Sequence, residues 1–183
     1  LRAFQRTKRI FGGEQVAEGA VFERRDPART DRLASRAHEG GPELVRRAVQ
    51  AARAAAPGWA ATPYEERCRL LRAVADGIGE RHMELAALAS LETGKSRTES
   101  ILEVQEAIDL IEAYAGHMEE NEGYTAPLNS FVEGERNVDV LRPYGVFGVI
   151  APFNFPVALS IGMASSALIA GNTVVFKPSE ESP

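Results

Sequence analysis

The stretch GVFGVIAPFNFPVALSIGMASSALIAGNTVVFKP, residues 145–178, determines the fold of this chain. Residues 145–150 are apolar without alternation, which is typical of a strand buried on both faces. Residues 156–170 are apolar almost all round and predict a helix, which Gly171-Asn172 ends. Residues 173–176 predict a second strand buried on both faces. Strand, helix and strand in this order predict a parallel βαβ unit, the beginning of a doubly wound α/β sheet.

Upstream of this unit, the sequence predicts a layer of helices. Residues 43–56 carry apolar side chains at helical spacing, and Pro57-Gly58 is predicted to end that helix. The run Thr62-Pro63-Tyr64-Glu65 has the pattern of a capping box, with Pro at the first helical position. Gly77 and Gly79 weaken the helix that follows, so we expect a bend or a two-piece helix there, which Thr93-Gly94 ends.

The most regular helix follows a second capping box, Ser96-Arg97-Thr98-Glu99. Its apolar residues recur at steps of three and four from Ile101 to Met118. Between Glu99 and Glu135 there are ten acidic residues and no Lys or Arg, which predicts an acidic, solvated face.

The remaining segments predict short strands. Phe131-Val132 and Val138–Leu141, separated by a turn, are expected to form a pair. The first 39 residues are predicted to be polar and irregular, apart from short candidate strands at Arg9–Phe11 and Gln15–Val16. Basic residues near the start, among them Arg2, Arg6 and Lys8, are interpreted as a solvated terminus.

The composition limits the classes of function. A net charge of −5 and a pI near 5.4 argue against nucleic acid as the main partner. No apolar run approaches the ~18 residues of a membrane span, and no leader pattern for secretion is visible. We therefore expect a cytoplasmic protein, although the chain begins with Leu1 and a targeting segment ahead of it stays open.

Cysteine and histidine usage fits this expectation. Cys68 is the single cysteine and cannot form an internal disulfide, which fits a reducing compartment. His38, His82 and His117 are far apart in the sequence and lack the spacing of a metal site.

Two loops follow the predicted parallel strands, where ligands bind in open sheets of this kind. In the first, residues 151–156, two prolines stiffen a loop that holds Asn154 between two aromatic residues. A fixed amide donor there would suit stabilisation of an oxyanion, whereas a turn-forming role is the alternative. This loop has no Gly-x-Gly-x-x-Gly pattern, so the usual pyrophosphate turn is absent from it.

The second loop carries Lys177 and Glu180. A carboxylate at this place in a dinucleotide fold accepts hydrogen bonds from ribose hydroxyls, and an ammonium group donates one or neutralises phosphate. Solvated surface charges are the alternative interpretation of the same two residues.

Three motifs carry a resemblance to a known family. The segments 143–156 and 170–180 are very similar to the aldehyde dehydrogenase superfamily, and Glu92-Thr93-Gly94-Lys95 resembles its upstream Glu-Thr-Gly-Lys motif. Weaker similarity extends from about Phe11 to the end. The three motifs occur in the family's order, which makes the match specific.

The resemblance implies roles for individual residues. Asn154 matches the amide that helps to hold the thiohemiacetal oxyanion. Ile150, Ala151, Pro152 and Phe153 match the stretch that lines the nicotinamide side of the cofactor site. Lys177 and Glu180 match the pair that contacts the adenosine ribose, and a glutamate there favours NAD over NADP because it repels a 2′-phosphate.

The resemblance also implies an organisation and a branch of the family. Residues 1–124 would be the helical part of the cofactor-binding domain, 125–143 an arm that joins subunits into dimers or tetramers, and 144–183 the start of the NAD-binding sheet. Phe153, in place of the Trp of many members, and motifs near Glu106–Asp109 and Gly123-Tyr124 resemble enzymes that act on glutamate semialdehyde, the 1-pyrroline-5-carboxylate dehydrogenase-like branch.

The family's mechanism requires a cysteine nucleophile and a glutamate base, and neither has a counterpart in these 183 residues. Cys68 lies inside a predicted helix and is interpreted as a packing residue. We therefore expect the chain to be the N-terminal part of a dehydrogenase, inactive by itself and unstable as an isolated monomer because a sheet edge is exposed. The alternatives are a short binding or assembly module, or an unrelated α/β nucleotide-binding protein.

Overall fold

The computed structural model describes residues 9–11 and 13–183, which form five α-helices and eight strands. The strands pair as four two-stranded sheets: β1 with β2, β3 with β4 and β5 with β6, all antiparallel, and β7 with β8, parallel. In chain order the elements are β1 Arg9–Phe11, β2 Glu14–Val16, β3 Val21–Asp26, β4 Arg29–His38, α1 Pro42–Ala61, α2 Tyr64–Glu80, α3 His82–Thr93, α4 Arg97–Glu120, β5 Thr125–Leu128, β6 Asn137–Val140, β7 Val146–Ile150, α5 Ala158–Ile169 and β8 Thr173–Lys177.

The predicted parallel βαβ unit is confirmed as β7, α5 and β8. The register runs from Val146 opposite Thr173 to Ile150 opposite Lys177. The expectation that both strands are buried on both faces is wrong: Ile150 is 72 % exposed and Phe176 is 45 % exposed. The reason is that α1 and α5 pack on a sheet of two strands, both of which are edges, so that many strand side chains have few neighbours.

The core lies between the helices. It gathers apolar side chains of α2, α3, α4 and α5, with Cys68, Val104 and Ala115 fully buried. Cys68 is a packing residue, as predicted, and its Sγ lies 3.8 Å from the carbonyl oxygen of Ala115. Burial raises the pKa of the Cys68 thiol, which keeps it in its unreactive protonated form.

Several helix ends follow local sequence signals. Ser96 caps α4 as a complete capping box, since its Oγ accepts from the Glu99 N–H and the Glu99 carboxylate accepts from the Ser96 N–H. Gly94 ends α3 with a left-handed φ of 76°. The predicted break after Gly77 and Gly79 is confirmed, and it lies at Arg81, between α2 and α3.

Two predicted helix boundaries are wrong. Helix α1 runs through Pro57 to Ala61, since a long-range bond holds its last turn: the Trp59 Nε1–H donates to the carbonyl of Leu168 at 2.9 Å. Thr62 does not cap α2. Its hydroxyl donates instead to the carbonyl of Gly58 at 3.0 Å, and Pro63 occupies the cap position.

The strand predictions had mixed outcomes. Short strands at Arg9–Phe11 and Glu14–Val16 are confirmed, but residues 21–38 are not irregular: they form the β3–β4 hairpin. The partner of β6 is Thr125–Leu128 and not Phe131-Val132, which lies in the connecting turn with Phe131 97 % exposed. Arg2, Arg6 and Lys8 lie outside the described residues.

Within residues 9–11 and 13–183, no helix is long and apolar enough to cross a membrane. The same residues contain no group of three His, Cys, Asp or Glu side chains that could hold a metal ion.

Two glycines provide a matched test of the helical layer. Gly123 has a φ of +69°, and a Cβ there would lie 2.5 Å from the Tyr64 ring, whereas Gly116 lies in α4 with nothing within 4 Å of such a Cβ. We predict that Gly123→Ala lowers the free energy of unfolding by about 1–2 kcal/mol or more because of the left-handed conformation and the clash. Gly116→Ala should raise it by about 0.5–1 kcal/mol. Urea unfolding of both variants checks this, and equal shifts would contradict it.

Candidate functional site

The two predicted loops meet at one edge of the parallel sheet. Ile150 and Lys177 are opposite each other at the ends of β7 and β8. One residue further, the Ala151 N–H donates to the Lys177 carbonyl at 3.1 Å. The candidate residues on 150–154 and 177–180 are thereby brought to the same edge, as expected of the carboxyl ends of parallel strands.

The first loop presents Asn154 to solvent. Ala151 is buried, whereas Pro152, Phe153 and Asn154 are exposed. The loop is therefore anchored at its beginning and open at its tip, so the Asn154 amide is accessible to a ligand.

The second loop presents a cation and an anion together. The Lys177 ammonium lies 3.8 Å from the Glu180 carboxylate and donates to the Pro178 carbonyl at 2.8 Å. Both side chains are exposed. A donor beside an acceptor suits a vicinal diol such as that of ribose, because each hydroxyl can both give and accept a hydrogen bond. The chemistry of this pair therefore fits a nucleotide cofactor.

Sequence reasoning missed a buried carboxylate that holds the first loop. Glu103 is only 1 % exposed, and its Oε1 accepts from the N–H groups of Val157 and Ala158 at 2.7 and 3.3 Å. These groups belong to the N-terminus of α5, where a negative charge complements unpaired donors and the helix dipole. The acidic face of α4 is exposed as predicted at Glu112 and Glu119, which pair with Arg72, but not at Glu103.

Lys95 links this carboxylate to the loop. Its Nζ lies 2.5 Å from Glu103 Oε2 and 3.6 Å from the centre of the Phe155 ring. The ammonium therefore neutralises the buried charge and makes a cation–π contact with the residue next to Asn154.

A second buried carboxylate, Glu92, holds the other loop. It is 3 % exposed and accepts hydrogen bonds from the hydroxyls of Ser35 and Ser182, the latter at 2.6 Å. Arg24 donates to its backbone carbonyl at 3.3 Å and forms an ion pair with Glu181. Burial raises the pKa of Glu92, against the opposing effects of the two serine hydroxyls and the Arg24 charge.

Helical spacing gives a signal for both buried acids. Glu103 precedes Ala107 and Ile111 at steps of four, so the period of α4 assigns it to the buried face. Glu92 follows the buried Ala86 and Ala89 at steps of three, so the period of α3 also assigns it to the buried face, but its partners on β4 and beyond β8 could not be predicted.

A parallel βαβ unit with polar loops at its strand ends is typical of α/β proteins that bind nucleotide cofactors. The model of the aldehyde dehydrogenase family matches residues 15–183, and this chain belongs to that family. The alternative of an unrelated α/β nucleotide-binding protein is therefore excluded.

Three similar proteins show which members of the family resemble this chain over nearly its whole length. N-succinylglutamate 5-semialdehyde dehydrogenase of Serratia proteamaculans (strain 568) is 39 % identical over 174 residues, which cover 95 % of this chain and 35 % of that protein. The structure of 1-pyrroline-5-carboxylate dehydrogenase from Thermus with bound NAD is 34 % identical, with a TM-score of 0.91 over 97 % of this chain and 34 % of that one. Proline utilization A from Bdellovibrio bacteriovorus is also 34 % identical, with a TM-score of 0.90 over 97 % of this chain and 18 % of that one.

These matches confirm the predicted family and its 1-pyrroline-5-carboxylate dehydrogenase-like branch. The chain spans about a third of the length of the curated relative and of the Thermus enzyme.

The Glu92 carboxyl predicts a pH dependence of stability. Because its folded pKa is raised, its contribution is fully present below the unfolded value, about 4.3, and is lost as pH rises through the folded value. We predict that Glu92→Gln, which cannot ionise, gains stability relative to the wild type as pH rises from about 4.5 towards 8. Thermal midpoints across this range measure the difference.

Glu99→Gln is the control with the opposite sign. Hydrogen bonds from Ser96 lower the pKa of Glu99, so its contribution is present above the unfolded pKa and is lost as pH falls. This variant should lose stability relative to the wild type as pH rises. A Glu92→Gln curve parallel to the wild type would contradict the prediction.

Proposed function

We propose that this chain is the N-terminal part of an NAD(P)-dependent aldehyde dehydrogenase that oxidises an aldehyde to a carboxylic acid through a cysteine thiohemiacetal and a thioester. The observation that carries the proposal is the family match together with the Ala151–Lys177 hydrogen bond, which joins the two candidate loops at one sheet edge. The nucleophile and the base that activates water would come from the remainder of the protein.

Asn154 would donate its amide hydrogen to the oxyanion that develops when the aldehyde carbonyl is attacked. A donor held before the reaction begins stabilises this charge without reorganisation. The exposed amide on an anchored loop supports that role, and the stretch Ile150–Phe153 beside it would line the nicotinamide side of the cofactor site.

Lys177 and Glu180 would bind the adenosine ribose. Their adjacent ammonium and carboxylate groups, 3.8 Å apart, can give and accept the hydrogen bonds of its hydroxyls. Glu180 would disfavour a 2′-phosphate, so we propose NAD as the preferred coenzyme, with NADP the alternative. When bound, the coenzyme supplies the acceptor for the hydride.

The substrate class proposed is a semialdehyde, because the relatives described above are named for N-succinylglutamate 5-semialdehyde and 1-pyrroline-5-carboxylate. We further propose that residues 1–124 and 144–183 belong to the cofactor-binding domain and that 125–143 is an arm in a homodimer or homotetramer. The exposed apolar residues Phe131 and Leu141 support this role of residues 125–143. We also propose a cytoplasmic location for the protein.

A second candidate is a non-catalytic binding or assembly module. It is favoured by Cys68, the single cysteine of the sequence, which is fully buried with a raised pKa and cannot serve as a nucleophile in this position. We propose that these 183 residues by themselves are inactive.

The two candidates give different masses and activities. We predict that the natively expressed protein is much larger than 19.8 kDa and forms NADH from NAD⁺ with a semialdehyde, faster than NADPH from NADP⁺. Intact mass spectrometry and absorbance at the reduced coenzyme's band measure both. A mass near 19.8 kDa without turnover would instead support the binding or assembly module.

Asn154→Ala tests the oxyanion role. We predict that kcat falls by about 10²–10³-fold, because a donor used in the transition state is lost. The affinity for NAD should change little. Asn121→Ala is the matched control, since its exposed amide donates to the His117 carbonyl at the end of α4, away from both loops. Equal kcat values for the two variants would overturn the assignment.

A further inference from the structure

The motif Glu92-Thr93-Gly94-Lys95 contacts both loops of the candidate site. Lys95 lies against Phe155 in the first loop, and Glu92 accepts a hydrogen bond from Ser182 at the end of the second. We propose that Lys95 and Glu92 are positioning residues: Lys95 sets the loop that presents Asn154, and Glu92 sets the turn that presents Lys177 and Glu180. This inference rests on the function proposed above.

Lys95 acts on the C-terminal side of the first loop, after Asn154. Its ammonium contacts the Phe155 ring, directly after Asn154, and pairs with Glu103. Glu103 in turn accepts from Val157 and Ala158, where α5 begins. Ala151 fixes the other end of the loop through its bond to Lys177. Asn154 therefore lies on a short span between anchored ends.

Glu92 holds a turn in the second loop through its hydrogen bond from Ser182. The Ser182 N–H donates to the Ser179 carbonyl at 3.2 Å, and the Glu181 N–H donates to Ser179 Oγ at 3.1 Å. Glu180 lies inside this turn. Because Ser182 donates to the buried Glu92, the turn is attached to the helical layer and to Ser35 on β4.

The two middle residues of the motif, Thr93 and Gly94, set the geometry between Glu92 and Lys95. Gly94 takes a left-handed φ of 76° beside Pro27. The chain therefore turns sharply between Glu92, which is in α3, and Lys95, which lies between α3 and α4. The turn is closed by bonds from the Lys95 N–H to Thr93 Oγ1 and from Ser90 Oγ to the Lys95 carbonyl. The Glu92 carboxylate and the Lys95 ammonium group are therefore each held in a fixed direction.

The first part of the test addresses Lys95 in the whole enzyme. Lys95→Met should lower kcat about tenfold or more while the Kd for NAD stays within about twofold, because small displacements of a catalytic group have large kinetic effects. Lys95→Arg keeps a cation between Phe155 and Glu103 and should restore most of kcat. Phe155→Leu removes the ring without leaving Glu103 unpaired and should lower kcat in the same way.

Hydrogen exchange gives a readout that does not depend on turnover. The segment 155–159 should exchange faster in Lys95→Met than in the wild type, since the Val157 and Ala158 N–H groups lose a fixed acceptor. Arg72→Met is the matched control: it removes the ion pairs of α2 with Glu112 and Glu119 but touches neither loop. Its kcat and its exchange at 155–159 should equal those of the wild type.

The second part addresses Glu92 through its partner on the loop, Ser182. Ser182→Ala should raise the Kd for NAD, measured by titration calorimetry, about fivefold or more, with kcat at saturating NAD within about twofold. Ser166→Ala is the matched control, because its hydroxyl donates to the Met163 carbonyl within α5, and its Kd for NAD should equal that of the wild type.

The outcomes separate this inference from the proposed function. An active wild type in which Lys95→Met and Ser182→Ala change kcat and Kd together, or change neither, overturns the inference and leaves the function standing. A wild type that neither binds NAD nor oxidises aldehydes overturns both. The inference is supported if Lys95→Met lowers kcat alone, Ser182→Ala raises the Kd for NAD alone, and the control variants equal the wild type.

Discussion

The carboxylate of Glu103 beneath the first turn of α5 is the interaction on which the site depends. A crossover helix between two parallel strands begins with unpaired N–H groups, and here Val157 and Ala158 donate to that carboxylate. A buried charge needs compensation, and Lys95 provides it. At the other end of α5, Trp59 and Arg67 donate to the carbonyls of Leu168 and Ile169. The helix is therefore held at both ends by side chains of the helical layer.

This arrangement attaches the βαβ unit to the helical layer at both ends of α5. The apolar face of α5 could slide along α4, since apolar contacts have no direction, but the polar contacts at its ends define one position. Because the loop 151–156 connects β7 to α5, fixing the helix also fixes the loop. The end of the loop that carries Asn154 is thus held by an ion pair between residues far from it in the sequence.

Local signals predicted the parts of the fold that local interactions determine. The βαβ order, the Ser96 capping box, the Gly94 helix end and the packing role of Cys68 were all readable from nearby residues. The continuation of α1 through Pro57 and the serine partners of Glu92 were not, because each depends on a contact far away in the sequence: Leu168 for the first, and Ser35 and Ser182 for the second. The β3–β4 hairpin was missed although its strands are adjacent in the sequence, because both strands are rich in charged residues. The burial of β7 and β8 was overestimated, because an apolar run shows that a strand can be buried but not how many neighbouring strands and helices cover it.

The buried acids also show what the polar network contributes. Replacing a buried ion pair by apolar residues of the same volume often leaves stability unchanged or higher, so stability alone does not account for Glu103 and Lys95. What an apolar pair cannot do is orient hydrogen-bond donors. The N–H groups of Val157 and Ala158 would lack an acceptor, and the Phe155 ring would lose its contact with the cation. The network therefore fixes the position of the first turn of α5 and of the loop before it, which carries Asn154, the residue that we propose to stabilise the oxyanion.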